Sequence, residues 1–276
     1  MTKVWMDIIK KEGTIRITDQ LPLYFIHEHE SDWQAETNVM ENSGIDGLIP
    51  GKNTFAPFTK TFTFVVKTRQ SELLKMVKRE IKKLVGSRES YFVRYEREPG
   101  NLFAIDNVKI TWENEEKAMF AGAVLTLEFN VYKGYSESWA TTLDPMLFST
   151  NKWAIGLNLP LGEDLSYIHT DKTFRIYNAS TDTIDPRMRH KLTIALSCEG
   201  QPTLTNETTG DYFTYYKALK KTDVLVLSGV YPYKNDTHCG KDTNHGVITL
   251  ATGWNEFELT GAEEIEIKFD FPFVYR

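Results

Sequence analysis

The last quarter of the sequence contains Leu204-Thr-Asn-Glu-Thr-Thr-Gly210, then Gly253-Trp-Asn-Glu-Phe257, and finally Ile265-Glu-Ile-Lys-Phe-Asp-Phe-Pro-Phe-Val-Tyr275. In the last of these stretches, apolar residues alternate with charged residues and a proline. A period of two is typical of a strand with one buried face. Glycine and asparagine turns separate this strand from its neighbours, so this part of the chain is predicted to form a β-sandwich.

The predicted strands of this region are short and divided by turn residues. They cover residues 173–177, 191–197, 224–227, 247–250, 256–259 and 264–273. Pro272 cannot donate a backbone hydrogen bond, so the end of the last strand is predicted to lie at a sheet edge.

The first half contains one convincing helix, residues 71–85. Ser71 is a natural N-cap, and Gly86 stands where a left-handed residue would end the helix. Apolar residues recur at helical spacing and form one stripe. They are Leu73, Leu74, Val77, Ile81, Leu84 and Val85.

Predicted strands precede and follow this helix along the sequence. They cover residues 60–67, 91–96, 102–112 and 119–132, and a turn at 114–117 joins the last two. Turn-forming residues then interrupt the pattern between residues 133 and 151. The sequence therefore predicts a sandwich domain with one helix at 1–147 and a second sandwich domain at 148–276.

The bulk composition excludes several classes of protein. The chain has 276 residues, 41% hydrophobic, with a formal net charge of −6. A nucleic-acid binder normally has a basic surface, so specific nucleic-acid binding is not expected. No secretory signal or membrane-spanning segment is expected either, and Cys198 and Cys239 are too few for a disulfide framework.

Two histidine-containing segments are candidates for chemistry. His27-Glu-His-Glu30 has metal-like spacing, although its charged neighbours favour a surface loop. The segment 236–245 gathers His238, Cys239 and His245, a spacing that matches no zinc or protease motif. No motif of a hydrolase, a nucleotide-binding loop or a zinc protease is present. We therefore expect no enzyme, no metal and no cofactor.

Trp254 is a candidate of a different kind. A tryptophan exposed on a sandwich can stack on a sugar ring, and His169, Arg175 and Asn178 lie in or near an early strand of the same domain. An aromatic residue after a turn glycine is more often packed in a core. Trp254 and Arg175 are thus the candidates for a sugar-binding face.

Taken in order, these features resemble the distal tail protein (Dit) family of long non-contractile-tailed phages that infect Gram-positive bacteria. In the first half the resemblance rests on Gly44-Ile-Asp-Gly47, the strand 60–67, the helix 71–85, the strand 91–96 and Leu125-Thr-Leu-Glu-Phe129. In the second half it rests on Ile176-Tyr-Asn178, Asp185-Pro186, Leu204–Gly210, Gly253-Trp-Asn255 and the closing aromatic strand.

The resemblance implies a fold and a function. It implies an N-terminal sandwich that forms a hexameric ring and a C-terminal galectin-like sandwich. Such a ring is a hub of the tail tip or baseplate, a virion structural protein made in the host cytoplasm. Its partners would be the tail tube protein, a tail-associated protein and a receptor-binding protein, and DNA would pass through its centre.

Two alternatives stay open at this stage. The first is a carbohydrate-binding protein that recognises host cell-wall polysaccharide through its C-terminal sandwich. The second is a metal-dependent enzyme built on His27, His29 and a distant carboxylate. Galectin-like architecture does not by itself imply sugar binding, because the histidine, asparagine, arginine and tryptophan set of galectins has no ordered match in this sequence.

Overall fold

The computed structural model describes residues 4–32, 34–44, 46–68, 71–115, 122–146, 152–153, 156–160, 162–163 and 165–276. The chain divides into two compact units, Met1–Ser136 and Glu137–Arg276. The predicted boundary between residues 147 and 148 lies outside the described residues and stays a prediction.

Strands make up most of the first unit. Its helices are α1 (Ile17–Gln20) and α2 (Ser71–Val85). The strands that begin in it are β1 (Met6–Lys10), β2 (Gly13–Arg16), β3 (Leu23–Glu30), β4 (Ala35–Glu36), β5 (Val39–Met40), β6 (Ile49–Pro50), β7 (Thr54–Phe55), β8 (Phe58–Lys67), β9 (Tyr91–Tyr95), β10 (Asn101–Glu115) and β11 (Gly122–Ser138).

The main sheet of this unit has the order β2-β1-β9-β10-β11-β8-β3. Strands β8 and β9 are three positions apart, which in a flat sheet is about 14 Å. The rings of Phe62 on β8 and Tyr95 on β9 nevertheless have centroids 4.9 Å apart. The sheet therefore curves around its core so that distant strands face each other, as the predicted sandwich requires.

Helix α2 spans the predicted residues and packs on this core. Val77, Ile81, Leu84 and Val85 are buried in the same cluster as the strand residues. Leu73, in the first turn, is exposed, so that part of the predicted stripe is wrong. The left-handed conformation predicted for Gly86 is also wrong. A Cβ at Gly86 would instead overlap the carbonyl oxygen of Lys82, which explains the glycine.

The remaining predictions for the first unit concern its strands. Strands β8, β9 and β10 confirm the strands predicted at 60–67, 91–96 and 102–112, with small changes at their ends. Strand β11 begins by residue 122, and residues 116–121 of the predicted turn and strand lie outside the described residues. The short helix α1 and strands β1 and β2 were not predicted.

The second unit is built almost entirely of strands. They are β12 (Ile168–His169), β13 (Thr173–Asn178), β14 (Thr193–Asn206), β15 (Asp211–Thr214), β16 (Leu225–Ser228), β17 (Tyr231–Lys234), β18 (Thr237–His238), β19 (Gly253–Asp270) and β20 (Val274–Tyr275). Among the described residues of this unit, 3₁₀ turns cover Pro186–Met188 and Gly240–Asp242. The sheet order is β12-β19-β14-β16-β17-β18, with β13 beside β19 and β15 beside β14.

Strands β14 and β19 each run through both layers of this unit. Twelve residues separate Phe257 from Phe269, which is about 40 Å along an extended strand. Their rings have centroids 5.0 Å apart, so β19 folds back on itself. The bend lies at Gly200 and Gly261, which have φ of 121° and 70°, and the pairing of β14 with β19 shifts register there. The two halves of each strand thus form the two layers of a sandwich.

This bend corrects the prediction of separate strands at 256–259 and 264–273, because β19 runs as one strand from Gly253 to Asp270. The predicted buried face is confirmed: the apolar residues Ile265, Ile267, Phe269, Phe271 and Phe273 are all buried. The strand predicted at 247–250 is wrong, since that segment contributes one isolated bridge between Ile184 and Leu250.

Buried asparagines explain two of the sequence motifs. The Asn206 side-chain amide donates to the Thr249 carbonyl and to Asn255 Oδ1, at 2.8 and 3.1 Å. Asn255 in turn bonds the backbone of Ala251 through both its oxygen and its nitrogen. These buried polar groups are satisfied and fix the loop before β19. The motifs around residues 204–210 and 253–255 are therefore structural.

In the part of the chain that the structure describes, no helix has both the length and the apolar character needed to cross a membrane.

Candidate functional site

A hairpin-like arm extends from strand β3 and covers residues 34–56. Strand β4 pairs with β7 at its root, and β5 pairs with β6 towards its tip. The turn glycines Gly44 and Gly47 both have positive φ, as turn residues often do. Each of these ladders is two residues long, and an isolated two-stranded hairpin is at best marginally stable in water.

The arm exposes its apolar side chains. Met40 and Ile49 are paired across the ladder and are 66% and 40% exposed. Val39 and Leu48 are also exposed, at 48% and 54%. Because Val39 and Met40 are neighbours on one strand, they point to opposite faces. Both faces of the arm's tip are therefore apolar and open to solvent.

Gly134 on β11 fixes the root of the arm. Its φ is 71°, and a Cβ there would lie 2.9 Å from the carbonyl oxygen of Ala56 and 3.0 Å from that of Phe55. A side chain at this position would push the arm away from the sheet. In the sequence analysis, Gly134 lies only within the interruption between residues 133 and 151, and Gly44 and Gly47 enter only through the family resemblance. The apolar pairs on either side of those glycines were the available signal.

The outer face of helix α2 is the second surface of the first unit. Leu73 and Met76 are 43% and 64% exposed and lie one turn apart. The rest of the helix's exposed side carries four basic residues and the acidic Glu72 and Glu80, while its other side is buried. These basic residues are Lys75, Arg79, Lys82 and Lys83. The surface therefore combines apolar contact area with positive charge.

A groove of about 440 Å³ in the second unit brings together three of the residues named for sugar binding. His169, Arg175 and Trp254 all line it. The Arg175 guanidinium lies over the Trp254 indole, 4.4 Å from the ring centroid. Asn178 does not take part, because it is buried and its amide donates to backbone carbonyls of Asp182 and Leu250.

The groove's histidine is held in place by its neighbours. Its ring stacks on Phe174 with centroids 4.7 Å apart, and its Nε2 lies 2.9 Å from the Ser166 carbonyl oxygen. Burial lowers the pKa of His169, although that hydrogen bond opposes the shift. The imidazole is therefore neutral at physiological pH, with Nε2 donating and Nδ1 an acceptor.

The other histidine segments carry no comparable arrangement. His27 and His29 are exposed on strand β3, so the predicted surface loop is wrong. His27 Nε2 lies 3.4 Å from Thr63 Oγ1. The described residues contain no group of three or more histidine, cysteine, aspartate or glutamate side chains that could hold a metal.

The cysteines are buried and unreactive in character. Neither Cys198 nor Cys239 forms a disulfide. Burial raises the pKa of Cys198 to about 11 and also raises that of Cys239. A nucleophilic cysteine needs a lowered pKa so that the thiolate forms. The environment of Cys239 beside His238 favours the protonated thiol instead, which is unsuited to nucleophilic catalysis.

Comparison with known proteins agrees with this architecture. Residues 12–131 match the family model of the phage tail protein RIFT-related domain. The whole chain has the fold of the Dit protein of phage SPP1, described as a hub of the adsorption apparatus in phages that infect Gram-positive bacteria. That match has a TM-score of 0.65 and 12% identity, and it covers 99% of this chain and 100% of the other.

Chains of the phage P2 baseplate, in conformations activated with calcium or strontium, are more distant. Their TM-scores are 0.44 and 0.43, each with 11% identity, and the matches cover 99% and 97% of this chain and 98% and 97% of theirs. No curated protein matches the sequence.

Residues 12–131 of the first unit are therefore similar to a phage tail protein domain, and the chain has the fold of a distal tail protein. The resemblance inferred from the sequence is confirmed, as is the mainly β fold with a helix-bearing N-terminal unit and a C-terminal sandwich.

Proposed function

We propose that this chain is a structural hub of a phage tail tip, without enzymatic activity, that assembles as a ring of six copies. The observation that carries the proposal is the apolar arm within residues 12–131, the segment that matches the phage tail domain. An arm with two exposed apolar faces needs a covering surface, and a ring provides one from the neighbouring copy.

A closed ring needs two different patches that fit each other, because a head-to-tail interface joins unlike surfaces. The arm and the outer face of helix α2 are such a pair. The arm carries exposed Glu36, Glu41 and Asp46 beside its apolar residues, with Lys52 as a basic exception. The helix face is apolar and carries an excess of basic residues, four against the two carboxylates Glu72 and Glu80. We therefore assign the interface to the arm of one copy and helix α2 of the next.

The partners proposed for the hub are those that the family resemblance implies. In the proposed virion, the ring joins the tail tube protein on one side to a tail-associated protein on the other, with receptor-binding proteins at its periphery. DNA passes through its opening. Six copies of −6 give a formal −36, and this net charge disfavours tight binding of the polyanion that passes through the ring.

The test is the mass and shape of the purified chain. Light scattering should give six times 31.8 kDa, about 190 kDa, and negative-stain microscopy should show sixfold rings with an open centre. Monomers both alone and after mixing with the tail tube protein would overturn the proposal.

Charge reversal tests the assigned interface. The double variant Lys75→Glu with Arg79→Glu should be folded but monomeric, because it places like charges against the arm. Adding Glu36→Lys and Glu41→Lys should restore the ring. As a matched control, Lys172→Glu with Lys221→Glu reverses exposed charges in the other unit and should leave assembly unchanged. Rings formed equally by the helix variant would contradict this interface.

A further inference from the structure

The outer face of the sheet formed by β13 and the first half of β19 carries a row of functional side chains. Tyr177 is paired with Trp254, Arg175 with Glu256, and Thr173 with Glu258. Residues two apart on a strand share a face. This face therefore presents two aromatic rings, two carboxylates, a guanidinium and a hydroxyl, with the groove at its centre.

The aromatic end of this row forms a fixed platform. Tyr177 contacts Trp254 edge-to-face with centroids 5.1 Å apart, and Arg175 stacks on the indole. Trp254 is half-buried in consequence. Stacking uses the π surface of the guanidinium and leaves its N–H groups free to donate in their own plane. The platform thus combines the part of the indole that the guanidinium leaves uncovered with hydrogen-bond donors beside it.

Hydrogen-bond acceptors also line this groove. The carboxylates of Asp171 and Glu256 line it and receive no hydrogen bond or ion pair from the described residues. His169 adds a neutral ring with one accepting nitrogen. Carboxylates can accept from two adjacent hydroxyls at once. The lining charges are two carboxylates against the single guanidinium of Arg175, which disfavours an anionic ligand.

We propose that this groove binds an uncharged pyranoside, either a hexose or an N-acetylhexosamine unit of a polysaccharide. A pyranose has an apolar face of C–H groups and a rim of hydroxyls that donate and accept. The platform of Trp254 matches the apolar face of the pyranose. Arg175, Asp171 and Glu256 match its rim of hydroxyls. The volume of about 440 Å³ also falls in the usual range for small-molecule sites, about 300–1,000 Å³. The inference is independent of the ring, because the groove lies within one unit.

The experiment is an array of neutral, N-acetylated and anionic glycans probed with the full chain, followed by calorimetric titration of the glycans retained. We expect retention of neutral or N-acetylated pyranosides, and affinity at least about tenfold lower for Trp254→Ala. Tyr231→Ala removes another exposed aromatic ring of the same unit, outside the groove, and should bind as the unmodified chain does.

A second variant separates binding from folding. Glu256→Gln keeps the side chain's shape and the aromatic platform, and it should weaken neutral glycans by about tenfold if its carboxylate accepts their hydroxyls. Retention of no neutral glycan, retention of anionic glycans alone, or equal affinity of a folded Trp254→Ala would each overturn the proposal. If the groove instead binds a protein partner, no neutral glycan is retained.

Discussion

At the scale of single residues, the first unit depends on charges buried beside their partners. Asp7 is almost fully buried; its Oδ1 accepts from Arg16 Nε at 2.7 Å, and its Oδ2 accepts from Arg94 Nη2 at 2.8 Å. Lys60 lies between Glu30 and Glu98 at 2.9 and 2.8 Å. Burial raises the pKa of Asp7, but the hydrogen bonds and charges of both arginines outweigh it and leave the pKa below its usual value.

Replacing Asp7 by Asn should lower the free energy of unfolding by about 3–5 kcal/mol at neutral pH, because Arg94 is left buried beside a neutral group. The contribution of ionised Asp7 is present above its unfolded pKa of 3.8 and is lost as the pH falls through the lower folded value. Urea unfolding of both proteins at several pH values should show their difference shrinking in acid.

The control for Asp7 is Glu12→Gln, which neutralises an exposed carboxylate of the same hairpin. It should change stability by less than about 1 kcal/mol. A constant difference between Asp7→Asn and the unmodified chain across the whole pH range would contradict the role given to this ion pair.

Sequence reasoning found only part of the candidate site at this scale. Trp254 and Arg175 were found because each lies in or beside a predicted strand with a recognisable pattern. Their contact could not be found, since it depends on the register between β13 and β19. Asn178 was grouped with them because sequence proximity does not reveal that its side chain points inward.

At the scale of the elements, the bend in β14 and β19 requires glycine. Gly261 and Gly210 have similar φ values, 70° and 76°. A Cβ at Gly261 would overlap the Gln201 carbonyl oxygen, whereas nothing lies within 4 Å of one at Gly210. The two positions therefore separate the cost of the backbone conformation from the cost of lost space.

We expect Gly210→Ala to destabilise the protein by about 1–2 kcal/mol, the cost of a left-handed alanine. Gly261→Ala should cost about 2–5 kcal/mol, because overpacking is added to the same strain. Thermal and urea unfolding of the two variants measure this directly. Equal losses would show that the bend has room for a side chain.

Helix α2 allows a second matched pair. Ile81 is fully buried and Leu73 is 43% exposed on the same helix. Ile81→Ala should lower the free energy of unfolding by about 2–5 kcal/mol. Leu73→Ala should lower it by less than about 1 kcal/mol while weakening ring assembly, as light scattering would report. An equally large loss of stability in Leu73→Ala would mean that its side chain supports the unit rather than the interface.

The elements also show where sequence patterns work. Helix α2 and strand β8 could be predicted because one face of each is buried, which leaves a clear period. The two predicted strands that proved to be β19 were separated at Gly261 because a glycine bend and a glycine turn look alike in sequence. The arm was missed because its apolar residues are exposed on both faces. A strand without a buried face shows no alternation of apolar and polar residues.

At the scale of the whole molecule, the proposed ring depends on both apolar and charged contacts. If the acidic arm meets the basic face of α2, salt should weaken assembly, since the Debye length falls from about 10 Å at 0.1 M to about 3 Å at 1 M. As the sodium chloride concentration rises, light scattering should show that the ring dissociates at a higher protein concentration. Assembly strengthened by salt would indicate an interface that is apolar alone.

The strands that pass through both layers of the second unit also have a mechanical consequence. In a sandwich whose strands each belong to one layer, a shearing load is resisted only by side chains packed between the layers. Here β14 and β19 carry the load along the covalent backbone from one layer to the other, past Gly200 and Gly261. Sliding the layers requires rupture of the hydrogen bonds between these two strands. The second unit should therefore unfold under tension in one abrupt step, with no extended intermediate in which the layers have parted.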